Sequence, residues 1–577
     1  MSSLLLLVTT LCQVAETNGD YFPNAVRPAE QLFPAETIAI ATVPDARDFR
    51  RRWNRSSFGA MADDRAFAAF FADVRDRIRS VSAATGVDVE MIWTQTDGEL
   101  TLGLVPAESA LPTLVAIANF DGDEPAAIEL LDRLEVQAER AGSQPLMLEA
   151  GTRELTSWTH PNEPGRTLAY YRDGGQVVFG DGIAALLSLA RRADLPDEST
   201  PAITTSAAYQ KVKTQTPLRR GSAAIRWFIN PQAAIDAAVQ SGTGPGASIG
   251  FLRGLIGQSG LSNFRGFGGV FDIPGGEIDS LTQTYGYLDG PPTGLLAAAK
   301  MDPTPQSPPS WVKDSVSLYS QMNFRPGHVL SVMEESVDRM HGPGTFNTVI
   351  ASRPVGNTGL TVAELADQLT GPLHFVAEIP ESAKQLVRQP TIIAVEVRDT
   401  QVMEQIVRGL AAGQPSRTVE STAIHRIPLD LSDLPNAAGL PAGVQSPEMA
   451  VAVSQGTLMI STDAGYLERT IAGADAGRPL AESPEYQQIA ANYPAATSVI
   501  SYQRQDDRFA GLYEQLRSGG MPAIGTTSIV AGLLGFDFKK LPPFEAMSKY
   551  LQTTGGYIVP AEDGFRIVNF SMAPSER

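Results

Sequence analysis

The stretch Thr113–Asp121, TLVAIANFD, returns 278 residues later as Thr391–Asp399, TIIAVEVRD. Thr, Ala and Asp are kept in place, and three further positions exchange one aliphatic residue for another. The flanks repeat in the same order. LVPAES (Leu104–Ser109) and EIPES (Glu378–Ser382) stand before the phrase, and AAIELLDRL (Ala126–Leu134) and MEQIVRGL (Met403–Leu410) follow it. SAAYQ (Ser206–Gln210) then matches SPEYQ (Ser483–Gln487), and GGVFDIPGGEIDSLTQTY (Gly268–Tyr285) matches GGYIVPAEDGFRIVNFSM (Gly555–Met572). Shared order at a near-constant offset is the signature of an internal repeat. The expected architecture is therefore two tandem copies of one unit, each about half of the 577 residues. The boundaries read as a signal-like segment and arm over 1–28, a first copy over 29–300, a Pro-rich linker over 301–310 and a second copy over 311–577.

Four segments, two in each copy, share the form strand, polar turn, helix. They begin at Glu36 (ETIAIATVPDARDFRRRW), Ser222 (SAAIRWFINPQAAIDAAV), Asp314 (DSVSLYSQMNFRPGHVLSVM) and Thr497 (TSVISYQRQDDRFAGLY). Their first parts are rich in β-branched and aromatic residues, and the turns carry Pro, Asp or Asn, which favour a helix start. Strand pairs such as ELTLGLV and TLVAIAN lie between them. The expected fold class is α+β, with mostly antiparallel or mixed sheets and helices packed on one face. A doubly wound sheet ranks second.

Composition narrows the function classes. A net charge of −19 disfavours nucleic acid and anionic membrane surfaces, which need a basic face. The single cysteine, Cys12, excludes a disulfide framework and a thiolate metal site. Leu4–Cys12 is an apolar run of signal-peptide length, shorter than a membrane span, and the best cleavage point follows Ala15. No later segment has the apolar length of a transmembrane helix. The expectation is an exported protein, periplasmic or secreted, soluble after cleavage.

The stretches LFPAETIAIATVPDARDFRRRWNRSSFGAM (Leu32–Met61) and PPSWVKDSVSLYSQMNF (Pro308–Phe324) resemble a loose family of large exported bacterial proteins, chiefly planctomycete, that carry a domain of unknown function. The resemblance implies export and no recognised enzymatic role, and it brings no functional residue with it.

Motifs for chemistry are sparse. GASIG (Gly246–Gly250) fits the nucleophile-elbow pattern around Ser248, but a glycine loop stands where a buried strand is required. Its counterpart Ser528 keeps the serine and loses the first glycine, which fits a helix cap in both copies. The histidines, His160, His328, His341, His374 and His425, show no metal-ligand spacing. DGDE (Asp121–Glu124) lacks the length of a calcium loop and reads as an acidic helix start. RRRWNR (Arg50–Arg55) is the best surface candidate: an anionic ligand or polymer docking on the arginines, with Trp53 as a stacking platform. At helical spacing, Phe49 and Trp53 instead face the core while the arginines stay solvated. No catalytic, cofactor-binding or metal-ligating residue is assigned, and no cofactor is expected. The reading is a non-catalytic binding or scaffolding component of the cell envelope, with an envelope protein or polymer as partner. A hydrolase using Ser248 and an extracellular carrier of an apolar ligand are the alternatives.

Overall fold

The protein is described by a computed structural model covering residues 27–574, except 86–88, 108–111, 122, 141, 161–162, 195–200, 219–222, 241–262, 293–296, 298–301, 357, 380–389, 429–447, 474–476, 506–508 and 519–536. The signal-like segment up to Ala15, Ser248 and Ser528 lie outside the described residues.

The first half supplies strands β1 (Ala39–Val43), β2 (Leu100–Val105), β3 (Thr113–Asn119), β4 (Gln144–Ala150) and β5 (Arg153–His160). It continues with β6 (Glu163–Asp173), β7 (Gln176–Gly180), β8 (Ala223–Ile229), β9 (Phe264–Ile273) and β10 (Ile278–Leu288). The second half supplies β11 (Leu318–Met322), β12 (Leu369–Ala377), β13 (Thr391–Val397), β14 (Ser416–Val419) and β15 (Thr422–Pro428). Then come β16 (Glu448–Ser454), β17 (Thr457–Ser461), β18 (Val499–Gln503), β19 (Thr554–Ala561) and β20 (Gly564–Met572).

All of these strands belong to one 20-stranded sheet. Its spatial order in the first half is β4-β5-β6-β7-β3-β2-β1-β8-β9-β10. The second half has the same order, β14-β15-β16-β17-β13-β12-β11-β18-β19-β20. The halves join where β10 pairs with β20, Leu281 opposite Phe570 and Thr282 opposite Asn569. Each ladder is antiparallel, which overturns the doubly wound alternative. The repeated phrase is the β3 of one half and the β13 of the other.

The helices of the first half are α1 (Ala46–Arg55), α2 (Ser57–Asp63), α3 (Ala68–Thr85), α4 (Val89–Gln95), α5 (Glu124–Arg140), α6 (Ile183–Asp194), α7 (Ala207–Gln215) and α8 (Pro231–Gln240). Those of the second half are α9 (Pro326–His341), α10 (Val362–Gln368), α11 (Thr400–Leu410), α12 (Ala464–Ala472), α13 (Pro484–Ala490) and α14 (Ala510–Ser518). The matched segments start helices in the same way. Ser206 caps α7 by accepting from the Tyr209 amide, and Ser483 caps α13 by accepting from that of Tyr486. Removing such a cap costs about 1 kcal/mol.

Helices cover both faces of the sheet, which corrects the expectation of one face. In the first half, Phe49, Trp53, Trp93 and Leu130 pack with Leu102, Ala116 and Phe179. On the opposite face, Leu186, Leu189, Tyr209 and Val212 pack with Ile40, Val115 and Val178. In the second half, Tyr466 and Ile489 meet Ile392 and Tyr502 on one side, and Met403 and Ile406 meet Val451 and Val453 on the other. The physical reason is the strands' own apolarity. Every residue of β7, QVVFG, is buried, and a strand of that kind must be covered twice.

The Pro-rich segment expected to be a linker is attached to the second half. Thr304 and Thr497 exchange both backbone hydrogen bonds at 3.0 Å, and Gln306 Nε2 donates to the Thr497 carbonyl at 2.6 Å.

Candidate binding cleft at the seam of the sheet

The arginine run forms α1, capped by Asp45, whose carboxylate accepts from the Asp48 amide at 2.7 Å. Helical spacing sends Phe49 and Trp53 into the core. Trp53 is 6 % exposed and stacked on Phe58 at 5.3 Å, so it is not a stacking platform for a ligand. The four arginines then divide by position. Arg50 is buried: it donates to the Trp93 and Thr96 carbonyls, each at 2.7 Å, and to Asp97 at 2.8 Å. Its guanidinium lies over the Trp93 ring at 5.7 Å. Arg51 and Arg52 face outward and both pair with Asp48, the Arg52 contact at 2.9 Å. Arg55 is exposed and has no ion-pair partner among the described residues.

Arg51, Arg52 and Arg55 line one wall of a cleft of about 810 Å³. The opposite wall comes from the second half: Lys549, Tyr550, Ala573 and Pro574. Lys549 pairs with Asp64 at 2.7 Å, and the Tyr550 hydroxyl donates to the Ala60 carbonyl at 3.0 Å and to Asp64 at 3.1 Å. The Lys549 ammonium and the Tyr550 hydroxyl hold the Asp64 carboxyl below its usual range, mainly through their hydrogen bonds and that of the Ala66 amide. Lys540 pairs with Asp73 in the same region, so residues 540–552 of the second half grip α2 and α3 of the first.

The floor is the β9–β10 turn and the bulge at Asp279, between Ile278 and Ser280. Among the described residues Asp279 is the one acid lining the cleft, and its oxygens are already engaged. One accepts from the Ser57 amide at 3.1 Å, the other from Gln552 Nε2 at 2.9 Å, and Gln552 also donates to Ser57 Oγ at 2.6 Å. Among the described residues the lining holds four cations and one buried, hydrogen-bonded carboxylate; Asp48 and Asp64 beside it pair with Arg51, Arg52 and Lys549, and Arg55 lines the cleft without an ion pair to a described residue. Clefts lined by one sign of charge focus the field and concentrate ligands of the opposite sign.

A second groove, of about 390 Å³, adjoins it, beginning at Ser280, the residue after Asp279. The pairing registers resolve it into two rows that cross five strands on one face. The first is Thr282, Asn569, Gly556, Ser501 and Ser320, on β10, β20, β19, β18 and β11. The second is Ser280, Ser571, Thr554, Gln503 and Leu318 on the same strands. The first row ends against Phe271 of β9 and Phe375 of β12, and the second meets Ala377 of β12. The opposite face of these strands carries Leu281, Phe570, Tyr502 and Tyr319 and is core. Ser280 and Ser571 share a hydrogen bond at 2.7 Å, and Ser320 donates to the Ile500 carbonyl at 2.9 Å. Thr282, Ser501, Gln503, Thr554 and Asn569 use none of their side-chain hydrogen-bonding capacity on other described residues. Gly556 is buried and lets the neighbouring side chains close over it in the middle of the first row: a Cβ there would stand 2.6 Å from Asn569 Oδ1 and 2.8 Å from Ser501 Oγ.

Asp123 accepts from the Ala126 amide at 3.1 Å at the start of α5, as an acidic helix start does. Among the described residues, no group of three His, Cys, Asp or Glu side chains is disposed to hold a metal ion. His374 is buried on β12, its Nδ1 3.1 Å from the Tyr319 hydroxyl, and burial pushes its pKa down to about 4. His328 Nε2 lies 2.9 Å from the Ala297 carbonyl. Of the cleft, the sequence pointed to Arg50–Arg55 alone. Lys549, Tyr550 and the polar rows were missed, although the alternation in IDSLTQTY (Ile278–Tyr285) and the Asn569 and Ser571 positions of VNFSM carried the signal of a polar face.

Comparison of the chain with protein-family models, with curated proteins and with solved structures returns no match.

Proposed function

We propose that this is an exported, non-catalytic binding protein built by tandem duplication, and that it holds an anionic ligand in the cleft between its halves. Duplication is supported by the strand order common to the two halves and by the repeated phrases at equivalent strands. Export rests on the apolar run Leu4–Cys12 and on the family resemblance. The ligand reading rests chiefly on one observation: Arg55, with no ion-pair partner among the described residues, lines a cleft together with Arg51, Arg52 and Lys549, and the one described acid of its lining is engaged by Ser57 and Gln552. Arginine forks suit carboxylate, phosphate or sulfate groups, which they bind in bidentate geometry.

The test is calorimetric titration of the full chain with tripolyphosphate at low salt. Binding should weaken as salt shortens the screening length, and Arg55→Glu should abolish it. Unchanged binding in Arg55→Glu would remove the cleft from the reading. Fractionation of the native cells tests export separately: recovery of the intact protein in the cytoplasm alone would refute it.

A further inference from the structure

The polar rows beside the basic cleft say what kind of anion it takes. We propose that the seam binds an acidic carbohydrate, an oligosaccharide bearing carboxylate or sulfate groups, laid across β10, β20, β19, β18 and β11 with an acidic group in the cleft. The proposal rests on the anion-binding reading and deepens it.

A small inorganic anion needs only the cations. The structure offers more: a track of hydroxyl and amide side chains beginning one residue from the cleft floor and spanning five strands. Four interstrand spacings of about 4.8 Å make it about 19 Å long, too long for one sugar ring and suited to a short oligomer. Serine, threonine and asparagine side chains both donate and accept, which matches the hydroxyls of a sugar, themselves both donors and acceptors. Thr282, Ser501 and Asn569 reach the groove with that capacity unspent within the described protein. A partner protein surface would be better met by several aromatic and aliphatic anchors, whereas Leu318 is the one large apolar residue in these two rows. Gly556 fits the same picture, since a Cβ there would push aside the Asn569 and Ser501 oxygens that line the track.

The experiment is a set of titrations on the full chain with three probes: a short uronic-acid oligosaccharide, an uncharged glucan of the same length, and tripolyphosphate. The oligouronide should bind at least tenfold more tightly than the glucan and than tripolyphosphate. Asn569→Ala and Gly556→Ala should each weaken the oligouronide several-fold and leave tripolyphosphate unchanged, and circular dichroism should show both variants folded. Arg55→Ala should weaken both anionic probes. If tripolyphosphate binds as tightly as the oligouronide and Asn569→Ala is silent, the carbohydrate proposal fails while the anion cleft stands. If neither anion binds, both fail. Binding of the glucan as tight as the oligouronide would contradict both, because the charge would then do nothing.

Discussion

Replacing Arg50 by alanine should unfold far more of the stability than replacing Arg51, its immediate neighbour in the same run of arginines. The Arg50 side chain is 7 % exposed and serves two backbone carbonyls and the Asp97 carboxylate. Deleting it takes that donor from the buried Trp93 and Thr96 carbonyls, at about 1–3 kcal/mol for each acceptor left unsatisfied, while Asp97, 29 % exposed, keeps its pair with Arg47. The Arg51 side chain is 59 % exposed, and its pair with Asp48 lies within one helical turn. Such surface pairs contribute about 0.3–0.5 kcal/mol. Arg50→Lys should fall between the two, since one ammonium replaces a planar fork that reaches three acceptors at once. Guanidinium unfolding followed by tryptophan fluorescence reads the difference, Trp93 being in direct contact with the guanidinium. Equal midpoints for Arg50→Ala and Arg51→Ala would refute the division of the run into one core arginine and three outward ones. The same pair of variants separates stability from binding, because Arg51 lines the cleft and Arg50 does not.

Acid should weaken the second half through His374. Burial depresses its pKa to about 4, below the ~6.5 of the unfolded chain, so the stabilisation from the neutral ring is complete above about pH 6.5 and is lost as the pH falls towards 4. That shift corresponds to about 3 kcal/mol, and His374→Gln should flatten the unfolding free energy between pH 7 and pH 4; an unchanged slope would count against a neutral buried ring. Gly269→Ala should prevent the β9–β10 hairpin from closing, since the new Cβ would lie 1.9 Å from the Gln283 carbonyl oxygen, and recovery of soluble protein measures it. Gly276→Ala meets nothing within 4 Å and should cost only the strain of its φ of +77°, about 1–2 kcal/mol in a denaturant melt.

Much of the fold was legible because it is written locally. The strand–turn–helix segments beginning at Glu36, Ser222, Asp314 and Thr497 are β1–α1, β8–α8, β11–α9 and β18–α14. Proline, aspartate and β-branched runs act over a few residues and survive any tertiary context. Coverage of both faces is written in the unbroken apolarity of strands such as QVVFG and not in the order of the connections. The site was legible only where it is contiguous. Arg50–Arg55 could be found as a run, but which arginine is buried depends on Trp93, Thr96 and Asp97, more than 40 residues away. Lys549 and Asp64 are brought together by packing of the halves, and Thr282, Asn569 and Ser501 only by the registers of three ladders. No window of sequence contains such a set.

The joining of the halves through β10 and β20 underlies both the cleft and the polar track, and a disulfide tests it directly. Ser280 and Ser571 face each other across the seam, their hydroxyl oxygens 2.7 Å apart and 291 residues apart in sequence. Directly opposed residues in an antiparallel pair have Cα atoms about 4.5–5.5 Å apart, within the range a disulfide spans. Cys12 is the only native cysteine, so in a Cys12→Ser background the variant Ser280→Cys/Ser571→Cys has a single pair to form. A continuous sheet in this register gives near-complete cross-linking under mild oxidation, seen as a compact band that shifts on reduction. Ser280→Cys/Phe570→Cys, whose second side chain points to the opposite face, should stay reduced. Cross-linking of the second pair and not the first, or of neither, would contradict the seam.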